Sequence, residues 1–477
     1  MKSPSALRTF IVTGIALFMV ALDNLIVTNA LPEIREKLGA GLEGMEWTVN
    51  AYTLTFAVLL LPSAAIADRY GRRRLFIGGL AVFTGASAAA ALAPNIGTLI
   101  AARAVQGAGG AVIMPLTLTL LAAAVPAAKR GIALAAWSTM SGLGIALGPV
   151  LGGAVTEYAT WQWIFWVNVP VGVVLLALAP GFLAESRGAL RRLDIAGTLL
   201  VTAGTLGVVL GLVRGNEHGW TSPQVLGSLA AGTLFMVAFV GYELRTRQPM
   251  LPMGLFRSRG FSVVNGVALV MSAGMFGSTF LLIQFLQGVS HMSPLEAGVR
   301  SLPWTGMPLL VAPLTAPLIA RFGVRPVLAA AMALQTAGLV WLAAALAPDV
   351  TYGQMVPAFI LCGIGMGLFF PPLARAVLGF APLEFAGVAS GISNALRQLG
   401  TVLGIAVFGA IFAARGGFTS PQAFTDGLQP ALWLGAALLG VGAAATLLIP
   451  GALPLHPQPA PTPKERETDT DTAVTTT

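Results

Sequence analysis

Charge is what this chain has least of. Only 10% of its 477 residues are Asp, Glu, Lys or Arg, while 56% are hydrophobic, a balance far outside that of water-soluble domains. So few solvating side chains cannot cover a globule, and the sequence therefore describes an integral membrane protein. Cysteine is almost missing: Cys362 is the single copy and lies inside an apolar run, which excludes an intrachain disulfide and leaves it the role of a small core residue. The 3 histidines, His218, His291 and His456, are scattered over loops and tail without metal-ligand spacing. No lysine follows a glycine, which excludes a Walker A phosphate loop and any sign of ATP drive. No acid and base are spaced as in a soluble active site. The chain is expected to be no enzyme and to need no cofactor or metal.

The charge that remains is positive, with a net value of +8. Its Lys and Arg sit in short clusters between apolar runs, which argues for orientation in a membrane and against a nucleic-acid partner. Apolar runs of spanning length fall near 10–30, 48–67, 75–93, 98–124, 131–156, 164–183, 195–213, 224–242, 261–286, 297–319, 327–346, 353–377, 386–412 and 430–450. An even number of spans puts both termini on one side. Clusters such as Arg69 with Arg72–Arg74, Lys129–Arg130, Arg191–Arg192 and Arg245 with Arg247 fall on that side. Opposite them stand only Arg35, Lys37, Arg214 and Arg415, while Arg103, Arg300 and Arg397 lie within or at the edge of runs. That asymmetry predicts cytoplasmic termini and a plasma (inner) membrane location. Lys2 and Arg8 before an apolar stretch resemble a secretory signal, but the run continues past Asp23 to Ala30, the length of a span.

Glycine and proline are plentiful, at 57 and 31 copies, and they carry a repeat. Adding 256 to the residue number takes Gly107 to Gly363, Gly109 to Gly365, Pro115 to Pro371 and Pro126 to Pro382. The same shift takes Gly131 to Gly387, Gly144 to Gly400, Gly148 to Gly404 and Gly153 to Gly409. The chain is a tandem duplication of six spans, a pattern of secondary transporters whose parallel halves are related by an axis along the membrane normal. The expected domains are a six-helix bundle over 1–185, an insert of two spans over 186–256, a second six-helix bundle over 257–452 and a disordered cytoplasmic tail over 453–477.

Within the repeat, Gly144, Gly148 and Gly152 recur every fourth residue and form one smooth helical stripe, with Pro149 bending the helix and Gly153 beside it. The stripe is either a fixed small-residue seam or a surface on which the bundles slide. Between spans 2 and 3 lies a second feature, Ala64-Ala-Ile-Ala-Asp68-Arg69-Tyr-Gly71-Arg72-Arg73-Arg-Leu75. Topology alone explains the arginines. It does not explain Asp68, which could pair with a helix end in one conformation and release it in another, or Gly71, which allows a tight turn.

This loop resembles the cytoplasmic signature of the major facilitator superfamily, Gly-x-Leu-Ala-Asp-Arg-x-Gly-Arg-Arg, with Ala64 in place of the first glycine; the second half keeps the degenerate Ala320-Arg-Phe-Gly-Val-Arg325. Leu22 to Pro32, Arg103 to Gly110, Gly144 to Gly153, Trp161 to Pro170 and Glu384 to Gly400 are similar, in order, to further motifs of that superfamily's fourteen-span drug/proton antiporter family. Gln162 stands where that family usually has arginine. The resemblance implies an all-α integral membrane protein of the major facilitator fold, with two six-helix bundles and two inserted central helices. It implies a multidrug-efflux antiporter of the antibiotic-resistance type, with spans 1 and 4 lining a central cavity.

Asp23 is the one carboxylate that these span limits place well inside the hydrocarbon. A charge there costs at least about 2.5–3.5 kcal/mol on insertion scales, so it should face protein or water and have a task. Asp23 and Arg103 both come out roughly 8–10 Å below the outer surface at 1.5 Å per residue, so they can meet if spans 1 and 4 are neighbours. The pair is either a structural pin or the carrier of the coupling proton, since a change in separation would change the carboxylate's proton occupancy. Substrate-cavity candidates are Asn24, Tyr52, Gln106, Gln284, Asn394 and Arg397. Tyr52, Trp137, Phe276, Met366 and Phe369 read more readily as packing than as a ligand box, and Trp161, Trp163 and Trp166 as interfacial anchors. The expected partners are the bilayer, protons and lipophilic, cationic or neutral small molecules, with the proton gradient as energy source and a monomer as the working unit. A dedicated exporter of one metabolite or self-made antibiotic shares every motif, and a proton-coupled importer is the more distant alternative.

Overall fold

In hydrocarbon every backbone N–H and C=O must be paired within the protein, and apolar runs of this length solve that by becoming helices. The computed structural model describes residues 6–126, 129–187, 194–247, 249–382 and 385–450. The tail over 453–477, Glu384 of the span-13 motif and the basic residues Lys2, Arg191, Arg192, Lys464 and Arg466 lie outside the described residues. Among those described, fourteen helices are long and apolar enough to span a membrane. They are α1 (Ala6–Leu38), α2 (Leu42–Tyr70), α3 (Arg72–Ala91), α4 (Ile96–Ala124) and α5 (Arg130–Tyr158). After these come α6 (Trp163–Phe182), α7 (Ile195–His218), α8 (Pro223–Glu243), α9 (Arg259–Gly288) and α10 (Pro294–Phe322). The last four are α11 (Val324–Ala345), α12 (Tyr352–Gly379), α13 (Ala386–Arg415) and α14 (Pro421–Thr446).

Several helices differ from the hydropathy reading, and three show a local reason. α1 runs to Leu38 and not to Ala30, because Glu33, Arg35, Glu36 and Lys37 extend the helix beyond the apolar stretch. α14 starts at Pro421 and not at 430: Ser420 caps it, its hydroxyl accepting from the Ala423 N–H at 3.0 Å, and the polar first turns hide it from a hydropathy scan. α10 is three pieces, Pro294–Arg300, Leu302–Thr305 and Met307–Phe322, with Pro303 and Pro308 just inside the second and third, where a missing N–H is tolerated.

The two copies of the repeat form two packed groups, α1–α6 and α9–α14. α7 and α8 pair with each other through glycine: a Cβ on Gly207 would lie 2.7 Å from the Gly232 Cα. α7 in turn leans on α2 and α13, one from each group.

The repeat fixes what each glycine does. Gly144, Gly148 and Gly152 face α1 of their own group, where a Cβ would come within 2.8 Å of Ala21 or Leu25 Cβ, or 2.6 Å of the Ile26 carbonyl oxygen. Their counterparts Gly400 and Gly404 face the α9 backbone at Leu269 and Ala273 in the same way. The stripe is thus a seam within a bundle and not the surface between bundles. The positions that touch the other half are the next in the series: Gly153 lies against the Pro294 carbonyl, and its counterpart Gly409 lies against the Glu46 carboxylate.

Several hydrogen bonds tie the two groups together in the membrane half away from the α1 N-terminus. Gln287 donates to the Asn29 carbonyl at 3.0 Å, and Glu157 accepts from the Ser293 hydroxyl at 2.5 Å and the Leu295 N–H at 3.0 Å. Thr305 reaches the Ala146 carbonyl at 3.5 Å. The Arg35 guanidinium caps the Phe418 ring at 3.7 Å, and Gly298 sits on the Pro149 carbonyl. The molecule is closed on that side.

Candidate functional site: a sealed carboxylate in the first bundle

Four helices converge on Asp23. Glycine lets them: a Cβ on Gly109 of α4 would lie 2.7 Å from the Phe83 amide nitrogen of α3, and Gly107 rests on the Tyr52 carbonyl of α2. α4 thereby comes close enough for short polar side chains to meet. Asp23 and Arg103 are both 0% exposed, and Arg103 Nη1 donates to Asp23 Oδ2 at 2.6 Å. The other carboxylate oxygen, Oδ1, accepts from Gln106 Nε2 at 2.8 Å and from Asn168 Nδ2 at 2.8 Å. Arg103 Nη1 also donates to Gln106 Oε1 at 2.8 Å and its Nε to the Thr48 carbonyl at 3.2 Å. The guanidinium stacks 4.3 Å from the centre of the Tyr52 ring. Ser87 closes the set, accepting from Asn168 at 3.1 Å and donating to the Phe165 carbonyl at 2.8 Å.

Taking each ion out of water costs several kcal/mol, and only dense pairing offsets that cost. Asp23 has such pairing, with three donors on two oxygens. Chemically the site can hold a negative charge in oil while the helices stay together; moving them apart strips the donors and favours a proton in their place. Sequence reading found Asp23, Arg103, Tyr52 and Gln106. It missed Asn168 and Ser87, although an asparagine and a serine inside apolar spans are themselves a signal. Trp161, expected at the membrane interface, is 1% exposed and packs edge-on against Phe165 beneath this network, whereas Trp163 is 55% exposed.

The other candidates separate into distinct places. At the α2–α3 turn, Asp68 pairs with Arg72 at 2.8 Å, and Gly71 has φ +112°. The turn is tied to the end of α6 by a residue the sequence did not reveal: Glu185 accepts from the Arg73 N–H at 3.0 Å, while Ser186 accepts from the Arg72 N–H at 2.9 Å. Arg69 lies over its neighbour Tyr70. In the second half Gly323 repeats the positive φ, at +86°. The Pro149 carbonyl on α5 is taken by the Asn29 amide.

Between the halves lies a void of about 10 Å³, lined by Leu25 and Ile145 from one half and by Met275, Phe276, Thr279, Trp304, Thr305 and Met366 from the other. Phe276 and Met366 border this void, Met366 as a core residue like Tyr52 and Phe369, and Trp137 donates to Thr117 at 3.0 Å. Gln284, a substrate-cavity candidate, donates to the Phe280 carbonyl of its own helix at 3.0 Å. Asn394 does meet Arg397, at 3.1 Å. Asn24 is half-buried on α1 beside Asp23.

Two like-built groups of six spanning helices, joined by a helical hairpin and holding an ion pair within the hydrocarbon, define a transporter of the two-bundle kind. The family model of the Major Facilitator Superfamily matches residues 13–298 and 264–475, and the chain belongs to that superfamily. It is 35% identical over 410 residues to the multidrug resistance protein Stp of Mycobacterium tuberculosis (strain CDC 1551 / Oshkosh), covering 86% of this chain and 76% of that one. It is 39% identical over 415 residues to the cephamycin export protein CmcT of Amycolatopsis lactamdurans, covering 85% of each. With the tetracenomycin C resistance and export protein of Streptomyces glaucescens it shares 34% over 424 residues, 88% of this chain and 79% of that one. Among solved structures, the xylose transporter XylE from E. coli in a partially occluded inward open conformation superposes with a TM-score of 0.62 at 14% identity, over 92% of this chain and 96% of that one. That likeness is one of fold.

Proposed function

We propose that this protein is a proton-driven exporter of lipophilic compounds, an antiporter of the plasma membrane with both termini in the cytoplasm. The observation that carries the reading is the sealed Asp23–Arg103 pair: an acid with no exposure to water, held by donors from two other helices of its own bundle, loses those partners if α4 or α6 shifts against α1 as the transporter changes state. The names of the relatives support export, and the excess of Lys and Arg on the side of the termini supports the orientation. With that orientation the closed side is the outer one and the structure faces inward. The bundles over 1–185 and 257–452 would rock about their outer contacts, with the insert over 186–256 riding between them. The Asp68 turn, here folded on its own half, would latch the opposite state. Protonation of Asp23 from outside would accompany substrate release, and deprotonation toward the cytoplasm would reset the cycle.

The test is reconstitution. Wild-type protein in proteoliposomes should expel a lipophilic dye when a pH gradient is imposed and stop when an uncoupler is added. Asp23→Asn should be folded and inactive in the same assay, and unchanged gradient-driven efflux by that variant would remove Asp23 from the mechanism. A second reading, a dedicated exporter of one antibiotic, is favoured by relatives named for single compounds such as tetracenomycin C and cephamycin. Growth protection against a panel of unrelated toxic compounds separates the two.

A further inference from the structure

The two halves treat their intramembrane charges differently. In the first, Asp23 and Arg103 neutralise each other. In the second, Arg397 stands on α13, and among the described residues no carboxylate forms an ion pair with it. Its Nη1 donates to the neutral Asn394 side chain at 3.1 Å, its guanidinium lies 4.7 Å from the Phe370 ring centre, and its Nε is buried with no hydrogen-bond partner. The side chain is half-buried. Arginine stays protonated in proteins. A guanidinium without a counter-charge inside a spanning helix is costly, and residues that carry such a cost generally have a function.

Position says what that function is. Phe370, under the guanidinium, is one turn along α12 from Met366, a rise of about 6 Å. Met366 lines the apolar pocket between the halves with Met275, Phe276 and Trp304. Asp23 is already matched by Arg103, whereas the guanidinium of Arg397 has no carboxylate of its own among the described ion pairs. A cation entering the cavity meets repulsion, whereas an acid meets a planar fork of donors with one buried N–H unsatisfied.

We propose that Arg397 is the anion-binding element of the substrate site, and that the compounds exported are amphiphilic organic acids. The void beside Met275, Phe276 and Met366 is about 10 Å³ in this closed arrangement, so the apolar ring body takes its place there only when the halves part, with the carboxylate or acidic enol at the guanidinium about one helical turn away. This rests on the export reading above and departs from the expectation of cationic or neutral substrates. A cationic substrate would need a carboxylate free to pair with it, and Asp23 is already paired with Arg103.

The test uses the full chain in nanodiscs of neutral lipid and three anthracene probes of matched size, bearing a carboxylate, a carboxamide or a trimethylammonium group. The carboxylate should bind at least about tenfold more tightly than the ammonium, the worth of one charged hydrogen-bonded contact. Arg397→Gln should shrink that preference to about twofold or less, and Arg397→Lys should keep part of it. Equal or tighter binding of the ammonium probe, no binding of any probe, or an undiminished preference in R397Q would overturn the assignment. The wild-type comparison decides alone if R397Q does not fold. In cells, gradient-driven efflux of the ammonium probe with no efflux of the acid would sink this assignment and leave export standing. Failure to expel any of the three would strike the export reading itself, and the assignment with it.

Discussion

Asn168 reaches from α6 to place its amide nitrogen 2.8 Å from Oδ1 of Asp23, the same oxygen that Gln106 addresses from α4. The amide both satisfies the carboxylate and, through Ser87, fixes α3 to α6. A hydrogen bond to a charged group contributes about 1.5–3 kcal/mol and a neutral one about 0.5–1.5 kcal/mol. Asn168→Ala should therefore lower stability more than Ser87→Ala and slow uncoupler-sensitive efflux as well. Thermal unfolding in detergent, with efflux on the same preparations, checks the order; equal and negligible effects of both would show that the amide is a bystander.

The buried pair predicts an asymmetry. Removing one partner of a buried ion pair costs about 3–5 kcal/mol, because the other is left charged and alone. Asp23 can escape by taking a proton, but Arg103 cannot shed one. Asp23→Leu should thus destabilise more than Arg103→Leu. Unfolding midpoints of the two variants in the same detergent test this. Arg103→Leu proving the less stable would contradict the geometry.

How much was legible beforehand follows from what each feature depends on. Fourteen spans and the doubling were readable because hydropathy and the 256-residue register are properties of the sequence itself. The Asp23–Arg103 contact was readable as a matched depth, since 1.5 Å per residue ranks side chains along a span. Which face a side chain takes was not. Gln284 was a candidate for the substrate cavity, yet its amide folds back on its own helix. The stripe of Gly144, Gly148 and Gly152 was legible as a close approach, but whether α1 or α10 approaches is a tertiary fact. Glu46 was invisible because a hydropathy limit at 48 left it in a loop, whereas α2 begins at Leu42 and buries it to 2% exposure.

Gly153 and Gly409 occupy equivalent places in the repeat and are where each half meets the other, on the Pro294 carbonyl and the Glu46 carboxylate. A side chain there should wedge the closed side open, whereas one at Gly148 should disturb α1 packing within its own bundle. Overpacking costs about 1–3 kcal/mol, enough to shift a transporter between two conformations of similar energy. In a background lacking Cys362, a cysteine placed at Ser293 should react faster with a membrane-impermeant maleimide when Gly153→Val or Gly409→Val is added. Gly148→Val should leave that rate near the background value, and a rise of equal size would mean that the two seams are not distinct.

The last prediction concerns the α2–α3 turn. Gly71 has φ +112°, and a Cβ there would also fall 2.8 Å from Glu185 Oε1. That conformation costs a non-glycine residue about 1–3 kcal/mol, and displacing Glu185 would free the end of α6 from the turn. Gly78, two turns into α3, has ordinary φ and nothing within 4 Å of where a Cβ would sit, so alanine there should gain about 0.5–1 kcal/mol from helix propensity alone. Gly71→Ala and Gly78→Ala should therefore move the unfolding temperature in opposite directions. Glu185→Gln should act in the direction of Gly71→Ala but more weakly, because its ion pairs with Arg73 and Arg74 are long, at 3.9 Å each, and partly exposed, a class that contributes about 0–1 kcal/mol. If Gly71→Ala proves as harmless as Gly78→Ala, the turn does not hold the geometry described here, and the latch assigned to Asp68 loses its anchor.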